Sequence, residues 1–264
     1  MRTILRGAAL SPALAGAILL CPGSVLGQST DEMNAANNPL QPTLGVNFQD
    51  YYVADVYDAD GADSNSLLLR GVAPHKIFGH PQLLRATLPM VTSPDLPPTG
   101  DHTDIGDLNL FDIFLFKAGS AQVGVGPQVT FPTAGRDETG TGKWQAGVAV
   151  LGIVPKHWGL VGGLVTWQAS FAGDDDRRRQ DNLIVQPLII YNFPNGWYAR
   201  STPNWTWDLE QDTCYIPIGI GGGKVWKGKQ TTYNVFVEPQ PIVAHDGQVP
   251  MFQVFFGLNL QFPL

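Results

Sequence analysis

Cysteine is nearly absent: the 264 residues carry two, Cys21 and Cys214. Cys21 falls in a leader-like stretch, so the rest of the chain holds one thiol and no internal disulfide is possible. Helix signals are scarce too, because 30 glycines and 21 prolines interrupt every 3.6-residue period early. Beyond the leader, no run reaches the roughly 18 consecutive apolar residues that a membrane-spanning helix needs. Basic residues are the minority, 16 against 23 acidic, which argues against nucleic acid as a partner. The five histidines have no metal-ligand spacing and no serine in a nucleophile motif. No cofactor or metal is implied, and the chain does not read as an enzyme.

What is present begins with the leader. "MRTILRGAALSPALAGAILLCPGSVLGQ" sets Arg2 and Arg6 before an apolar run from Ala8 to Leu20, then small residues up to Gly27. This predicts a secretory signal peptide over 1–27, cleaved after Gly27. Its loss brings the net charge from −7 to about −9. Leu20 is bulky where a lipoprotein signal ending at Cys21 wants a small residue.

Period-two alternation fills the remainder. "AQVGVGPQVTF" puts Ala121, Val123, Val125, Val129 and Phe131 on one face, and Gln122, Gly124, Gly126, Gln128 and Thr130 on the other. Twelve such runs can be marked, at roughly 42–54, 66–77, 82–92, 105–117, 121–132, 143–154, 158–171, 182–193, 197–209, 213–226, 231–244 and 250–263. Most are long enough for a tilted strand to cross a bilayer. The connections alternate as well. Long polar ones such as "DVYDADGADSN" (55–65) and "AGDDDRRRQD" (172–181) take turns with short ones such as "FGHP" (78–81) and "PNG" (194–196). Long outer loops and short inner turns characterise outer-membrane barrels. Trp144, Trp158, Trp197, Trp207 and Trp226 sit near strand ends, as an interfacial belt requires. A soluble β-sandwich or lipocalin-like barrel also alternates, but with shorter strands and the greasy face inward. The reading is all-β: a transmembrane up-and-down antiparallel β-barrel of about 12 strands, comprising the signal peptide 1–27, an N-terminal periplasmic segment 28–41 and the barrel 42–264.

Several stretches carry a family likeness. "ANNPLQPTLGVNFQDYY" (36–52), "LLRGVAPHKIFGHPQLLRATLPMVT" (68–92), "WGLVGGLVTWQASFAGDDDR" (158–177) and "FVEPQPIVAHDG" (236–247) resemble the phenol meta-pathway outer-membrane family, often labelled transporter or neuromedin U. So do "GDLNLFDIFLF" (106–116), "GTGKWQAG" (140–147), "GWYARSTPNWTWDLE" (196–210) and "QVFFGLNLQFPL" (253–264). The resemblance spans the chain after the leader. It implies a Gram-negative outer-membrane barrel with a transport-related role and brings no catalytic motif. Gly257, Leu260 and Phe262 resemble the terminal signal that the outer-membrane assembly machinery reads. Phe255, where a polar residue is usual, and the trailing Pro263-Leu264 depart from it.

Charges on a lipid face would cost about 2–4 kcal/mol each near the midplane. Parity therefore predicts that Arg70, Arg85, Asp107, Asn109, Gln128, Gln145, Arg200, Asn204, Asp208, Glu238 and Gln240 line the lumen, as a selectivity lining or a closing network. Asn47, Gln49, Gln122, Gln168, Gln186, Asn259 and Gln261 join them. Asp112 falls on the outward face with Leu108 and Leu110, so a bulge near Leu110–Phe111 is expected to turn it inward, and Lys224 is expected to shift likewise. Pro203 should break the ladder. "DDDRRR" (174–179) reads as a solvated loop, with lipopolysaccharide phosphates as a sharper option for its arginines, and "YDADGADS" (57–64) lacks EF-hand spacing for Ca²⁺. The expected function is passage of small molecules, hydrophobic or aromatic ones among them, across the outer membrane. The partners are membrane lipid and lipopolysaccharide, the assembly machinery and a small solute. A closed structural or surface-interaction barrel and an outer-membrane hydrolase stay open as alternatives.

Overall fold

The computed structural model describes residues 28–59, 61–94, 100–247 and 249–264, and the expected leader lies outside them. A helix, α1 (Thr30–Asn37), precedes β1 (Leu44–Val56), β2 (Ser64–Ile77), β3 (His80–Thr92), β4 (Thr103–Ile105), β5 (Leu108–Ala118), β6 (Ala121–Phe131), β7 (Lys143–Lys156) and β8 (Gly159–Gly173). Then come β9 (Asp181–Asn192), β10 (Trp197–Ser201), β11 (Trp205–Asp208), β12 (Thr213–Pro217), β13 (Gly221–Lys227), β14 (Thr232–His245) and β15 (Pro250–Phe262). All pairings are antiparallel, and β15 returns to β1 with Leu44 opposite Phe262, so the sheet closes. Three wall positions are each filled by two strands in succession: β4 with β5, β10 with β11, and β12 with β13. Counted this way, the wall is a closed barrel of 12 strands. Each run of alternation coincides with one wall position to within about two residues. Closure pairs the first strand with the last, which an open sheet would leave as two long edges.

The outward residues are apolar. Leu67 and Leu69 on β2, Val148 and Val150 on β7, Val165 and Trp167 on β8, and Ile189 and Tyr191 on β9 are all exposed. Aromatic side chains gather at both ends of this band. Phe131 meets Trp144 edge-on at 5.2 Å near the long loops, and Trp158 stacks on Tyr191 at 5.8 Å near the short turns. Single tryptophans at strand ends thus form two belts around one apolar surface.

The interior differs from the polar lining expected by alternation. Its short-turn half is apolar: Ile113, Ala149, Leu151, Ile153, Leu160 and Ile190 point inward and are buried. On β7 the run "VAVLGI" (148–153) is therefore greasy on both faces. What covers the inner face is the segment 28–41. This segment, which the sequence reads as an N-terminal periplasmic segment, folds into the short-turn mouth of the barrel. Ser29 caps α1 in a reciprocal capping box with Glu32, fixing the start of the helix. Met33, Ala36 and Leu40 then join the inward cluster, and each burial of a Met or Leu side chain stabilises the seat by about 1.5–3 kcal/mol. Gly124 makes room: a Cβ there would stand 2.9 Å from Leu40 Cδ2 and 2.7 Å from Ile113 Cδ1.

Candidate functional site

Above this plug the barrel holds a cavity of about 170 Å³. Asn37, Asn38 and Pro39 contribute to its floor, and inward residues of the wall strands form its sides. One side is polar. On β1, Gln49 Nε2 donates to Asn259 Oδ1 of β15 at 2.8 Å, and Gln49 Oε1 accepts from Arg70 Nη1 of β2 at 2.5 Å. Arg85 of β3 lies a diagonal step from Arg70, because Arg70 faces Thr87 and Val72 faces Arg85 across the β2–β3 pair. The Arg85 guanidinium carbon sits 3.8 Å over the ring of Phe111. Among the described residues neither arginine has a carboxylate partner within 4.0 Å, and both Nε atoms are buried without an acceptor. The facing side is apolar, built from Leu151, Leu164, Leu188 and Ile190 of β7, β8 and β9.

Arg200 is different, because it is paired. The wall breaks where β10 ends at Ser201 and β11 begins at Trp205, and again between β12 and β13 at 218–220. Pro203 has no N–H for a ladder, so the first break falls where the sequence requires it. The stranded backbone groups are satisfied by side chains. Thr202 N donates to Glu238 Oε1 at 2.8 Å, Gln186 Nε2 donates to the Thr202 carbonyl at 3.1 Å, and Trp205 Nε1 donates to the Pro217 carbonyl at 3.0 Å. Glu238 is 0% exposed. It also accepts from Arg200 Nε at 2.7 Å, Thr202 Oγ1 at 2.9 Å and Gln240 Nε2 at 2.9 Å. Gly219 permits this approach, since a Cβ there would fall 2.0 Å from Glu238 Oε1. The Arg200 guanidinium carbon lies 3.6 Å over Phe236, and Phe255 stacks on Tyr51 at 4.2 Å. Phe255 is thus an interior aromatic wall for the Arg200 knot.

The plug is held by asparagines that sequence reading did not single out. Asn34 Nδ2 donates to the Lys156 carbonyl at 3.0 Å and its Oδ1 accepts from Asn192 at 2.8 Å. Asn38 Nδ2 donates to Gln122 Oε1 at 2.8 Å. Asn234 donates to the Ala36 carbonyl at 3.2 Å and to Asn37 Oδ1 at 2.9 Å, while accepting the Tyr198 hydroxyl at 2.5 Å. The signal was a cluster of three asparagines, Asn34, Asn37 and Asn38, whose partners Asn192, Asn234 and Gln122 are near in space but not in sequence.

The remaining sequence candidates divide by height. Asn109 donates to Thr130 Oγ1 at 2.9 Å, Gln128 to the Trp167 carbonyl at 3.1 Å, and Gln168 to Gln145 Oε1 at 2.9 Å, forming an inward network nearer the long loops. Asn204 donates across the lumen to the Tyr51 hydroxyl at 3.0 Å, and Gln253 donates to Gln240 Oε1 at 2.7 Å. Asp107 and Asp208 stand apart from the cavity, at the long-loop rim. Asp107 accepts from Thr141 N and Thr141 Oγ1, each at 2.7 Å, and from Ala134 N at 3.2 Å, tying down the loop between β6 and β7. Asp208 pairs with Arg178.

Two expectations are corrected. Asp112 is not turned inward: the β5–β6 register runs unbroken from Phe111 opposite Gln128 to Phe114 opposite Val125. It stays on the outward face, where His75 of β2 lies 2.8 Å from its Oδ1. A cross-wall partner replaces the bulge, and His75 makes no other side-chain hydrogen bond among the described residues. Lys224 also stays outward, its ammonium 4.8 Å from the ring centroid of the exposed Trp197. In "DDDRRR", Arg177 donates to the Asp137 carbonyl at 2.6 Å and the Gly140 carbonyl at 2.5 Å, so it clamps two loops together. Among the described residues no group of three or more His, Cys, Asp or Glu is placed to hold a metal.

No family model matches the chain, and no curated protein matches it. Solved structures do. The COG4313 outer membrane channel from Pseudomonas putida F1 aligns with a TM-score of 0.62 at 15% identity, over 83% of this chain and 95% of that one. The KdgM porin aligns with a TM-score of 0.48 at 8% identity, over 83% and 99%. The beta domain of the Bordetella autotransporter BrkA aligns at 0.44 and 11% identity, over 84% and 100%. What this chain shares with the first of these is the fold: a closed antiparallel barrel with an apolar outside.

Proposed function

We propose that this protein is a channel of the Gram-negative outer membrane, exported by a cleaved signal peptide over 1–27 and related to the phenol meta-pathway family. Lipid and lipopolysaccharide meet its apolar belt, and the assembly machinery reads its last strand. Small apolar or aromatic solutes pass through the lumen, with Arg70, Arg85, Arg200, Asn204, Glu238 and their neighbours as the selective lining. The observation that carries this reading is the cavity inside a closed barrel, walled by guanidinium groups on one side and leucines on the other. A chain needing only a structural barrel would fill that volume with side chains.

A second reading, a closed barrel without transport, is favoured by the seating of α1 in the mouth. Single-channel recording in planar bilayers separates the two. The intact chain should give small or rare conductance steps, and deletion of 28–41 should raise the unit conductance several-fold. If neither protein gives defined steps while both run as heat-modifiable barrels on a gel, the closed reading stands.

A further inference from the structure

The Arg200 guanidinium has a carboxylate; among the described residues those of Arg70 and Arg85 have none. Each guanidinium presents five donors. Of these ten, the described residues accept one, at Gln49 Oε1. Among the described residues Arg85 has no hydrogen-bond acceptor, only the face of Phe111. Enclosing two like charges on diagonal positions of adjacent strands is costly unless a counter-charge completes the site. Diagonal neighbours in a sheet lie about 7–8 Å apart at the backbone, and two long side chains from such positions can converge on one carboxylate. Opposite them are Leu151, Leu164, Leu188 and Ile190, which offer an anion nothing but suit a hydrocarbon body. The free space of about 170 Å³ is of the order, about 150 Å³, that an apolar cavity needs to hold a single benzene ring.

We propose that the lumen cavity is a binding site for an amphipathic monoanion: a carboxylate held between Arg70 and Arg85, on a compact apolar body of single-ring size lying against the leucine wall. This rests on the channel reading and narrows it to acidic solutes. The bent geometry of the site selects twice. A small hydrophilic anion satisfies the guanidinium groups but leaves the leucines wet, and a neutral ring does the reverse. The asparagine-tethered floor bounds the site on the short-turn side, so an acidic solute entering the lumen is held there before it passes the plug.

The test is calorimetric titration of the full-length barrel in detergent with benzoate, benzyl alcohol and acetate, alongside bilayer recording of the same preparation. Benzoate should bind at least tenfold more tightly than either control. Arg85→Gln and Arg70→Gln should each weaken benzoate about tenfold to a hundredfold and leave benzyl alcohol unchanged. Because Arg85 has no hydrogen-bond acceptor among the described residues, Arg85→Gln should fold to a barrel at least as resistant to urea as the original. Equal binding of benzoate and benzyl alcohol, or of benzoate and acetate, overturns the proposal. So does an Arg85→Gln barrel that unfolds more readily, since the guanidinium would then be structural. Absent benzoate binding with intact conductance sinks the site and spares the channel; benzoate binding without conductance does the opposite.

Discussion

Glu238 offers the sharpest energetic prediction. Its carboxylate is wholly enclosed and is the meeting point of Arg200, the Thr202 backbone and hydroxyl, and Gln240. Replacing it by Gln keeps the volume and leaves Oε1 able to accept from Thr202 N. It turns an amide donor toward Arg200 Nε, however, and leaves a guanidinium with only 9% side-chain exposure uncompensated. Removing one member of a buried ion pair costs about 3–5 kcal/mol. Arg200 also borders the cavity, where water can reach it, so the lower end applies and Glu238→Gln should destabilise by about 3 kcal/mol. Equilibrium urea unfolding of the refolded barrel, followed by tryptophan emission, measures this, and Trp205 at the strand break reports locally. Adding Arg200→Met to Glu238→Gln should recover much of the loss, because no uncompensated guanidinium then remains and the amide oxygen still accepts from Thr202 N. A Glu238→Gln change below about 0.5 kcal/mol would refute the claim that this carboxylate replaces the missing ladder bonds.

Two further outcomes are expected from the same wall. Gly219→Ala should push the Glu238 carboxylate from its seat and cost about 1–3 kcal/mol in the same urea titration; combined with Glu238→Ala, the added cost should disappear. Asp107→Ala removes a carboxylate that accepts three hydrogen bonds from the β6–β7 loop. Limited proteolysis should then cut within 132–142 while the barrel itself stays heat-modifiable, at a stability loss of about 1.5–3 kcal/mol.

The wall was legible because strand alternation is a local property. Each side of Val148, Ala149, Val150 and Leu151 is decided by its immediate neighbours, and Pro203 announces a ladder break without outside help. Arg70, Arg85, Arg200 and Glu238 could be placed inward by the same rule. Asp112 could not be placed, because its outward position depends on His75, which reaches it across β3 from a strand remote in sequence. Lys224 similarly depends on Trp197 of the neighbouring β10. The plug was hidden for another reason. Its helix is short and its anchors are asparagines, which read as loop residues until the carbonyls they bind are brought beside them. The apolar inner face of β7 was the available clue: a strand greasy on both sides needs a cover on both sides.

The seam between β1 and β15 governs how such a wall can be made. Every other pairing in the sheet joins wall positions that follow one another along the chain, whereas Gln49 and Asn259 meet from 210 positions apart. Loop-closure entropy for that single junction is incurred only when the final strand is available. The same strand then donates from Gln261 Nε2 to the Ala36 carbonyl of the plug, 3.1 Å away. Zipping the cylinder shut thus also adds the last latch to its stopper. A chain cut short of β15 would be left with two raw edges and a stopper tethered by its asparagines alone, whereas a chain lacking 28–41 would still complete its ring.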